Sequence, residues 1–442
     1  MSFILLGILN SSGAGRETPY WLATLGGTGN DILYSMAKGT DTSFYVGGQT
    51  DSTGAGGLDV SVAKYNSSGT IEWQRVLGGL QGDFVRGVGV DSSNNSYFAG
   101  LTASSGAGEN DALIAKYNSS GTIQWQKTLG GTGFDAWRAA GIDSSNNLYV
   151  TGEFGAPVNA IIVAKYNSTG VIQWQKSLET SADEYGKFLA IDSSDNVYIG
   201  GVANLTGSQG YDFILAKYNS SGTIQWQRTL GGTGTDDGAG IAIDSSDNVY
   251  VTGVSNSVGA GGLDLLLAKY NSSGTIQWQR VLGGSSRDAG KSIAIDSSDN
   301  VYVGGETESD GEGGRDFLLA KYNSSGTIQW QRTLGGTGNE EVNALFIDAQ
   351  GILYAGGLTT STGEGGNDFL IAKIPTDGSL TGTYVLDGVN IIYAASTLTA
   401  ATSSLASSTS SLTAATSTLV GATSSLTDAS SSLTSHFVEI PA

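Results

Sequence analysis

Cysteine is absent from the 442 residues, histidine occurs once, at position 436, and proline four times. The first absence excludes disulfides, thiolate nucleophiles and Cys-based zinc sites. The second excludes His-containing triads and multi-histidine metal centres. Basic residues are scarce: 21 Lys and Arg stand against 41 Asp and Glu, a formal charge of −20. That sign of charge repels phosphate and argues against a nucleic-acid partner. No apolar run approaches the roughly 18 residues that a membrane-spanning helix needs. The one dense apolar block near the start, residues 3–9 (FILLGIL), has no basic residues before it. Residues 1–17 read as an extended apolar anchor against a neighbour, with an uncleaved export signal as the alternative.

What the chain does have is glycine, 67 residues of it, and repetition. Trp21, Trp73, Trp125, Trp174, Trp226, Trp278 and Trp330 follow one another at steps of 52, 52, 49, 52, 52 and 52 residues. The lysine of A-K-Y gives the same count independently: Lys64, Lys116, Lys165, Lys217, Lys269, Lys321 and Lys373. Two markers thus agree on seven units, and a period near 50 indicates an array of one supersecondary module. Within a unit, short runs rich in Val, Ile, Tyr, Trp and Thr alternate with turn sequences such as Asn271-Ser272-Ser273-Gly274. Four antiparallel strands per unit follow, with no helical period. Seven such sheets can close into a propeller, which hides their edges, or stack into an open solenoid, which needs distinct capping units. No capping unit is visible, so the closed ring is the reading for residues 18–380.

The runs A-K-Y-N-S-S-G-T-I-Q-W-Q, L-G-G-T-G and I-D-S-S-D-N-V-Y-V-T-G resemble the seven-bladed beta-propeller (SBBP) repeat family. The K-Y-N-S-S-G-T-I-Q-W stretch is also similar to the tryptophan-docking hairpin of quinoprotein propellers. That resemblance implies an outermost strand whose Trp packs on the next blade, and so a structural role for the seven tryptophans. It implies a fold and no particular activity. Trp21 has no inner strands before it, and Gly382 stands where the last unit should carry its Trp. The segment 18–25 therefore reads as the fourth strand of the last blade.

Candidate site residues follow from breaks in the repeat. Acids recur ten places after each Trp (Asp31, Asp83, Asp135, Glu184, Asp236, Asp288, Glu340), and a second set precedes the third strand (Asp59, Asp111, Asp212, Asp264, Asp316, Asp368) with Ala160 as the exception. These fit acceptors for glycine-turn N–H groups, with Ca²⁺ as the sharper alternative and no other cofactor. Equivalent acids lack the asymmetry that glycoside hydrolysis requires, so no catalytic residue is assigned and the protein reads as a non-enzyme. The second to fourth units instead place Phe134, Trp137, Arg138, Tyr185 and Tyr211 where other units carry small or charged residues. Aromatics beside Arg and acids suit a ligand-binding patch for a sugar or a protein, or rings that fill gaps between blades.

Residues 381–442 change character: Ser, Thr and Ala dominate, and Leu398, Leu405, Leu412, Leu419, Leu426 and Leu433 recur every seven residues. A continuous strand would alternate them between faces, whereas a helix keeps them together. The expectation is an α-helical, coiled-coil-like segment for oligomerisation, most simply a parallel homotrimer. An anchored start, a rigid disc and a fibrous end suit a subunit of a larger assembly. The first ten residues resemble the starts of tailed-phage virion proteins. The expected function is a non-catalytic fibre or surface appendage of a virion, contacting other virion proteins and attaching to a host-surface glycan or protein. The alternative is a bacterial cell-surface or secreted propeller that binds protein or polysaccharide. If segment 18–25 closes the ring, deleting residues 1–25 abolishes cooperative unfolding; a truncated chain that melted like the full one would refute the closure.

Overall fold

The computed structural model describes residues 20–155, 159–179, 182–204 and 210–403, and in the tail 406–409, 413–415, 420–423, 427–430 and 434–440. Residues 1–17 lie outside these, as do Leu405, Leu412, Leu419, Leu426 and Leu433. Among the described residues every regular element is a strand, and the strands form seven sheets. Blades 1 to 6 occupy residues 31–78, 83–130, 135–179, 184–231, 236–283 and 288–335, each as four consecutive antiparallel strands. Blade 7 takes three strands from residues 340–375, and its fourth is Tyr20–Gly26, with Trp21 opposite Lys373.

The first strand of each blade is innermost. Asp31–Lys38, Asp83–Val90, Asp135–Ile142, Glu184–Ile191, Asp236–Ile243, Asp288–Ile295 and Glu340–Ile347 contact one another in sequence, and the last returns to the first. Middle strands are buried on both faces, as in Val-Tyr-Val-Thr-Gly and Leu-Leu-Leu-Ala of blade 5, because each sheet is packed between two others.

Three recurrent motifs hold the blades together. The outer-strand indole of one blade reaches the hairpin of the next: Trp226 Nε1 donates to Ser272 O at 3.1 Å and Trp330 Nε1 to Thr376 O at 3.1 Å. The series closes through Trp21 Nε1 to Ser67 O at 3.4 Å. At Gly274 the backbone has φ +77°, and an added Cβ would lie 2.8 Å from the Trp226 ring. Both the left-handed turn and the close approach exclude other residues there. On the other side of this turn, Arg228 Nε donates to Gly274 O at 2.7 Å. In the D-S-S-D-N turns, Asp244 accepts the N–H groups of Ser246 and Asn248, and Asp247 adopts φ +58°. Lys269 Nζ sits 3.2 Å from Asp244 Oδ2 and over the Tyr250 ring. Ser193 N donates to Asp247 across the blade boundary.

The C-terminal segment is not a helix, which corrects the expectation from its seven-residue period. A hairpin of Gly382–Leu386 and Val389–Ala395 lies on the outer strand of blade 6. The chain then runs backwards around the rim. Thr399–Thr402 pairs with the outer strand of blade 5, Ala406–Thr409 with blade 4, Thr413–Ala415 with blade 3, Val420–Thr423 with blade 2 and Thr427–Ser430 with blade 1. Thr434–Ile440 ends the circuit on Tyr20–Gly26. The residues opposite Arg75, Lys127, Arg228, Arg280 and Arg332 are Ser430, Thr423, Thr409, Thr402 and Ala395, all in one seven-residue register. Seven residues are thus the step from one blade to the next, with three or four of them paired at most blades and the rest bridging. The face-alternation argument fails because it assumed one unbroken strand, whereas the tail forms separate short strands on successive blades. Leu398 lies in the bridge between blades 6 and 5, buried with Leu265, Leu282 and Tyr322. The trimer drawn from the coiled coil loses its premise.

The belt and the ring closure meet at Trp21, which is fully buried, stacks on Phe44 of blade 1 and touches Phe437 of the belt. Trp21→Ala is expected to cost about 3–5 kcal/mol in denaturant unfolding, as for other buried Trp truncations. Trp226→Ala, at a half-buried position, should cost less. Equal and small losses at both would contradict the closing role of Trp21.

Candidate functional site

The inner strands surround a cavity of about 780 Å³ on the ring axis. Each inner strand carries a β-bulge three residues after its leading acid, at Tyr34, Arg86, Arg138, Lys187, Ala239, Lys291 and Asn343. A bulge leaves one residue unpaired and re-aims its side chain. All seven bulge residues line the cavity. Four are cationic, in a chain whose overall charge is −20.

Carboxylates answer most of these cations. Arg138 Nε lies 3.1 Å from Glu153 Oε1. Lys187 Nζ lies 2.7 Å from Asp237. Lys291 bridges Glu306 at 2.9 Å and Glu341 at 2.6 Å, and Arg287 pairs with Glu306 at 2.8 Å. Burial works against ionisation of Glu306, yet Lys291 and Arg287 hold its carboxyl below the ordinary range. Arg86 differs: its guanidinium lies 3.8 Å from the centre of the Tyr34 ring, and it makes no ion pair among the described residues. Burial lowers its pKa, with the Arg138 charge adding to the effect. Tyr185 and Tyr211 stand edge to face with ring centres 6.0 Å apart, both half-buried and lining the cavity. Asn159 Nδ2 donates to the Tyr185 hydroxyl at 3.3 Å.

Of the five residues singled out from the sequence, the cavity gathers Arg138, Tyr185 and Tyr211. Trp137 turns the other way. It is fully buried, with its ring 4.8 Å from that of Phe154, and fills the core between blades 2 and 3. Phe134 sits before the inner strand, bridged to Asn110, and does not line the cavity. Sequence reading noted Arg86 and Lys187 as charges that follow the aromatics in the broken repeats, and did not assign Tyr34, Asp237 or Lys291 to a site. Their signal is the position thirteen after each repeat Trp, which reads Tyr, Arg, Arg, Lys, Ala, Lys, Asn while its surroundings repeat.

The recurrent acids form a second, structural ring between blades. Asp59 Oδ2 accepts Ala55 N at 3.0 Å, Asp316 Oδ2 accepts Glu312 N at 2.9 Å, and Glu340 accepts Gly336 N at 2.8 Å and the Thr359 hydroxyl at 2.7 Å. The first glycine of L-G-G faces the third-strand acid. A Cβ at Gly335 would fall 1.7 Å from Asp316 Oδ1 and 2.8 Å from Glu340 Oε2. The exception supports the pairing: where Ala160 replaces the acid, Glu179 replaces the glycine. Among the described residues no group of three or more His, Asp or Glu side chains is placed to hold a metal ion.

Two family models agree with this architecture. A family model described as a beta-propeller repeat (SBBP) matches residues 225–259 and 277–312, and one described as a beta-propeller domain of unknown function matches 297–328. The chain carries SBBP-type propeller repeats. Regulatory protein FlaEY of Caulobacter vibrioides is 31% identical over 140 residues, covering 27% of this chain and 15% of that protein. An uncharacterized WD repeat-containing protein of Acanthamoeba polyphaga mimivirus is 26% identical over 193 residues, covering 35% of this chain and 14% of that one. The matched stretches are thus a small part of those longer proteins. Among solved structures, the polysaccharide lyase Uly1 has a TM-score of 0.48 at 10% identity, with 85% of this chain and 94% of that one covered. Sqt1 of Chaetomium thermophilum has a TM-score of 0.45 at 11% identity, with 84% and 99% covered.

The interblade acids give stability a pH dependence of definite sign. Burial, reinforced by Glu340, pushes Asp316 up to about 8, and burial pushes Asp59, Asp135 and Asp368 up to about 6. Between the unfolded value near 3.8 and these folded values the native state holds more protons, so stability falls as pH rises. The turn acids Asp143, Asp192, Asp244 and Asp296 are shifted downward, despite burial, by their Asn partners and backbone N–H groups, so their contribution is lost at the acid end. The melting temperature is therefore expected to peak near pH ~4 and decline toward pH ~8, and Asp316→Asn should flatten the upper part of that decline. Calorimetry showing a rise from pH ~5 to ~8 would contradict this.

Proposed function

We propose that the protein is a non-catalytic binding propeller that takes a saccharide in its axial cavity. The observation that carries this is the Tyr185–Tyr211 pair on the cavity wall, in the part of the ring where the repeat is broken. Aromatic faces stack on sugar rings, while Asn159, Asp183 and the Tyr185 hydroxyl form a polar fringe for sugar hydroxyls. Catalysis is disfavoured by the state of the acids: Glu153, Asp237, Glu306 and Glu341 are each paired with Lys or Arg. A general acid needs an environment that raises its pKa, and Lys291 and Arg287 do the reverse to Glu306.

A disc with such a pocket suits attachment to a cell-surface glycan. The carrier would be a tailed-phage fibre or appendage, with a bacterial surface or secreted protein as the alternative; recovery from purified particles at fixed stoichiometry would decide between them. For the pocket itself, titration calorimetry against a panel of surface oligosaccharides is the test. Tyr185→Ala and Tyr211→Ala are each expected to weaken binding roughly tenfold without lowering the melting temperature. Unchanged affinity in both variants would refute the aromatic site.

A further inference from the structure

Four of the seven bulge positions around the cavity are cationic, and three of those four are neutralised by ion pairs. Arg86 is the exception. Its Nε is buried without a hydrogen-bond partner, and no ion pair or hydrogen bond of its guanidinium exists among the described residues. Tyr34, which holds the plane of the guanidinium from one side, spends its hydroxyl on Gln49 at 3.2 Å. Glu153, the acid that acts on Arg86 electrostatically, is taken by Arg138. Arg86 is thus a fixed, desolvated donor group on the cavity wall with its hydrogen-bonding capacity unused. Buried guanidinium groups are ordinarily paired, because a desolvated donor left unsatisfied is costly. The free donors of Arg present a planar fork that matches two oxygens of one anionic group.

Charge at larger scale points the same way. Five cations (Arg86, Arg138, Lys187, Arg287 and Lys291) line the cavity, with Glu153, Asp237 and Glu341 in the same wall and Glu306 behind Arg287 and Lys291. The surplus on that wall is positive, whereas the chain as a whole carries −20. Field lines in a walled cavity are focused, so an anionic ligand would be repelled by the rim and drawn to the axis.

We propose that Arg86 seats an oxyanion of the bound saccharide, so that the ligand is an acidic oligosaccharide carrying uronate carboxylates or sulfate esters. The proposal rests on the saccharide reading of the cavity and specifies its ligand class. Tyr34 acts as a positioning residue that holds the guanidinium flat against the wall. Arg138, Lys187 and Lys291 are committed to internal carboxylates and supply field more than direct contact.

The test is titration calorimetry on the full chain with matched pairs of short oligosaccharides. Oligogalacturonate, oligomannuronate and hyaluronan fragments are each compared with their methyl-esterified forms, and a chondroitin sulfate fragment with its desulfated form. The wild type is expected to prefer at least one acidic member over its neutral counterpart by tenfold or more. Arg86→Gln should erase that preference at unchanged melting temperature, Arg86→Lys should restore part of it, and Tyr185→Ala should weaken the acidic and neutral forms alike. A preference confined to the chondroitin sulfate pair and lost in Arg86→Gln supports the proposal with sulfate as the anion. An acid preference that survives Arg86→Gln, or neutral and acidic forms bound equally, overturns the role of Arg86 and leaves the saccharide reading standing. Absence of binding by every member, with Tyr185→Ala indistinguishable from wild type, overturns the saccharide reading itself.

Discussion

A four-stranded blade ends in an outer strand whose outward N–H and C=O groups have no partner within the blade. Seven such strands around one rim would offer seven templates for unwanted pairing. The last fifty or so residues of this chain remove that exposure by running once around the rim and adding a short strand to each blade. Their composition follows from the task. Ser, Thr and Ala are small residues, and most of the added strands are three or four residues long. The circuit ends on the N-terminal strand, which is held between Asp368–Pro375 and Thr434–Ile440. Chain start and chain end therefore lock one another, and His436 ties the end of the belt to its beginning. Its ring nitrogens lie 2.8 Å from Glu364 and 2.7 Å from Asp387.

A closed rim leaves the centre as the place where chemistry can vary. Outer and middle strands are constrained on both faces by neighbouring blades, and the turns between them by the Trp–Gly and Asp–Asn contacts. The bulge of each inner strand is free of these constraints, since its side chain faces the axis. The seven blades therefore differ most where they can differ at least cost to the ring, and the cavity collects Tyr, Arg, Lys and Asn from positions that are otherwise equivalent.

Much of this was legible in the residues. Two independent markers, Trp and Lys, counted the blades, and the glycine and asparagine turns located the hairpins. The acids proved harder to read. Their repetition suggested a common role, but only the geometry shows that Asp316 occupies the space a side chain on Gly335 would need. The joint change to Ala160 and Glu179 carried that information in the sequence. Trp137 and Tyr185 looked alike as aromatics in broken repeats. They diverge because Trp137 directly precedes the bulge, on the core side of the pleat, while Tyr185 lies one residue after its leading acid, on the axial side. Arg86 and Lys187 were visible as charges, yet without the bulge their convergence on one axis was not. The seven-residue leucine period misled for a physical reason. A heptad is the step of a coiled coil, and here it is also the distance between neighbouring blades at the rim. Thr, poor in a helix and favoured in strands, pointed to the second reading.

The account stands on the belt covering the outer strands, and backbone hydrogen exchange measures this directly. The amides of the belt-paired halves of the outer strands, residues 75–78, 127–130, 228–231 and 280–283, should exchange nearly as slowly as those of the middle strands, and the four-residue belt strands opposite them should show protection of their own. Fast exchange along the outer strands together with helical protection in residues 397–440 would contradict it.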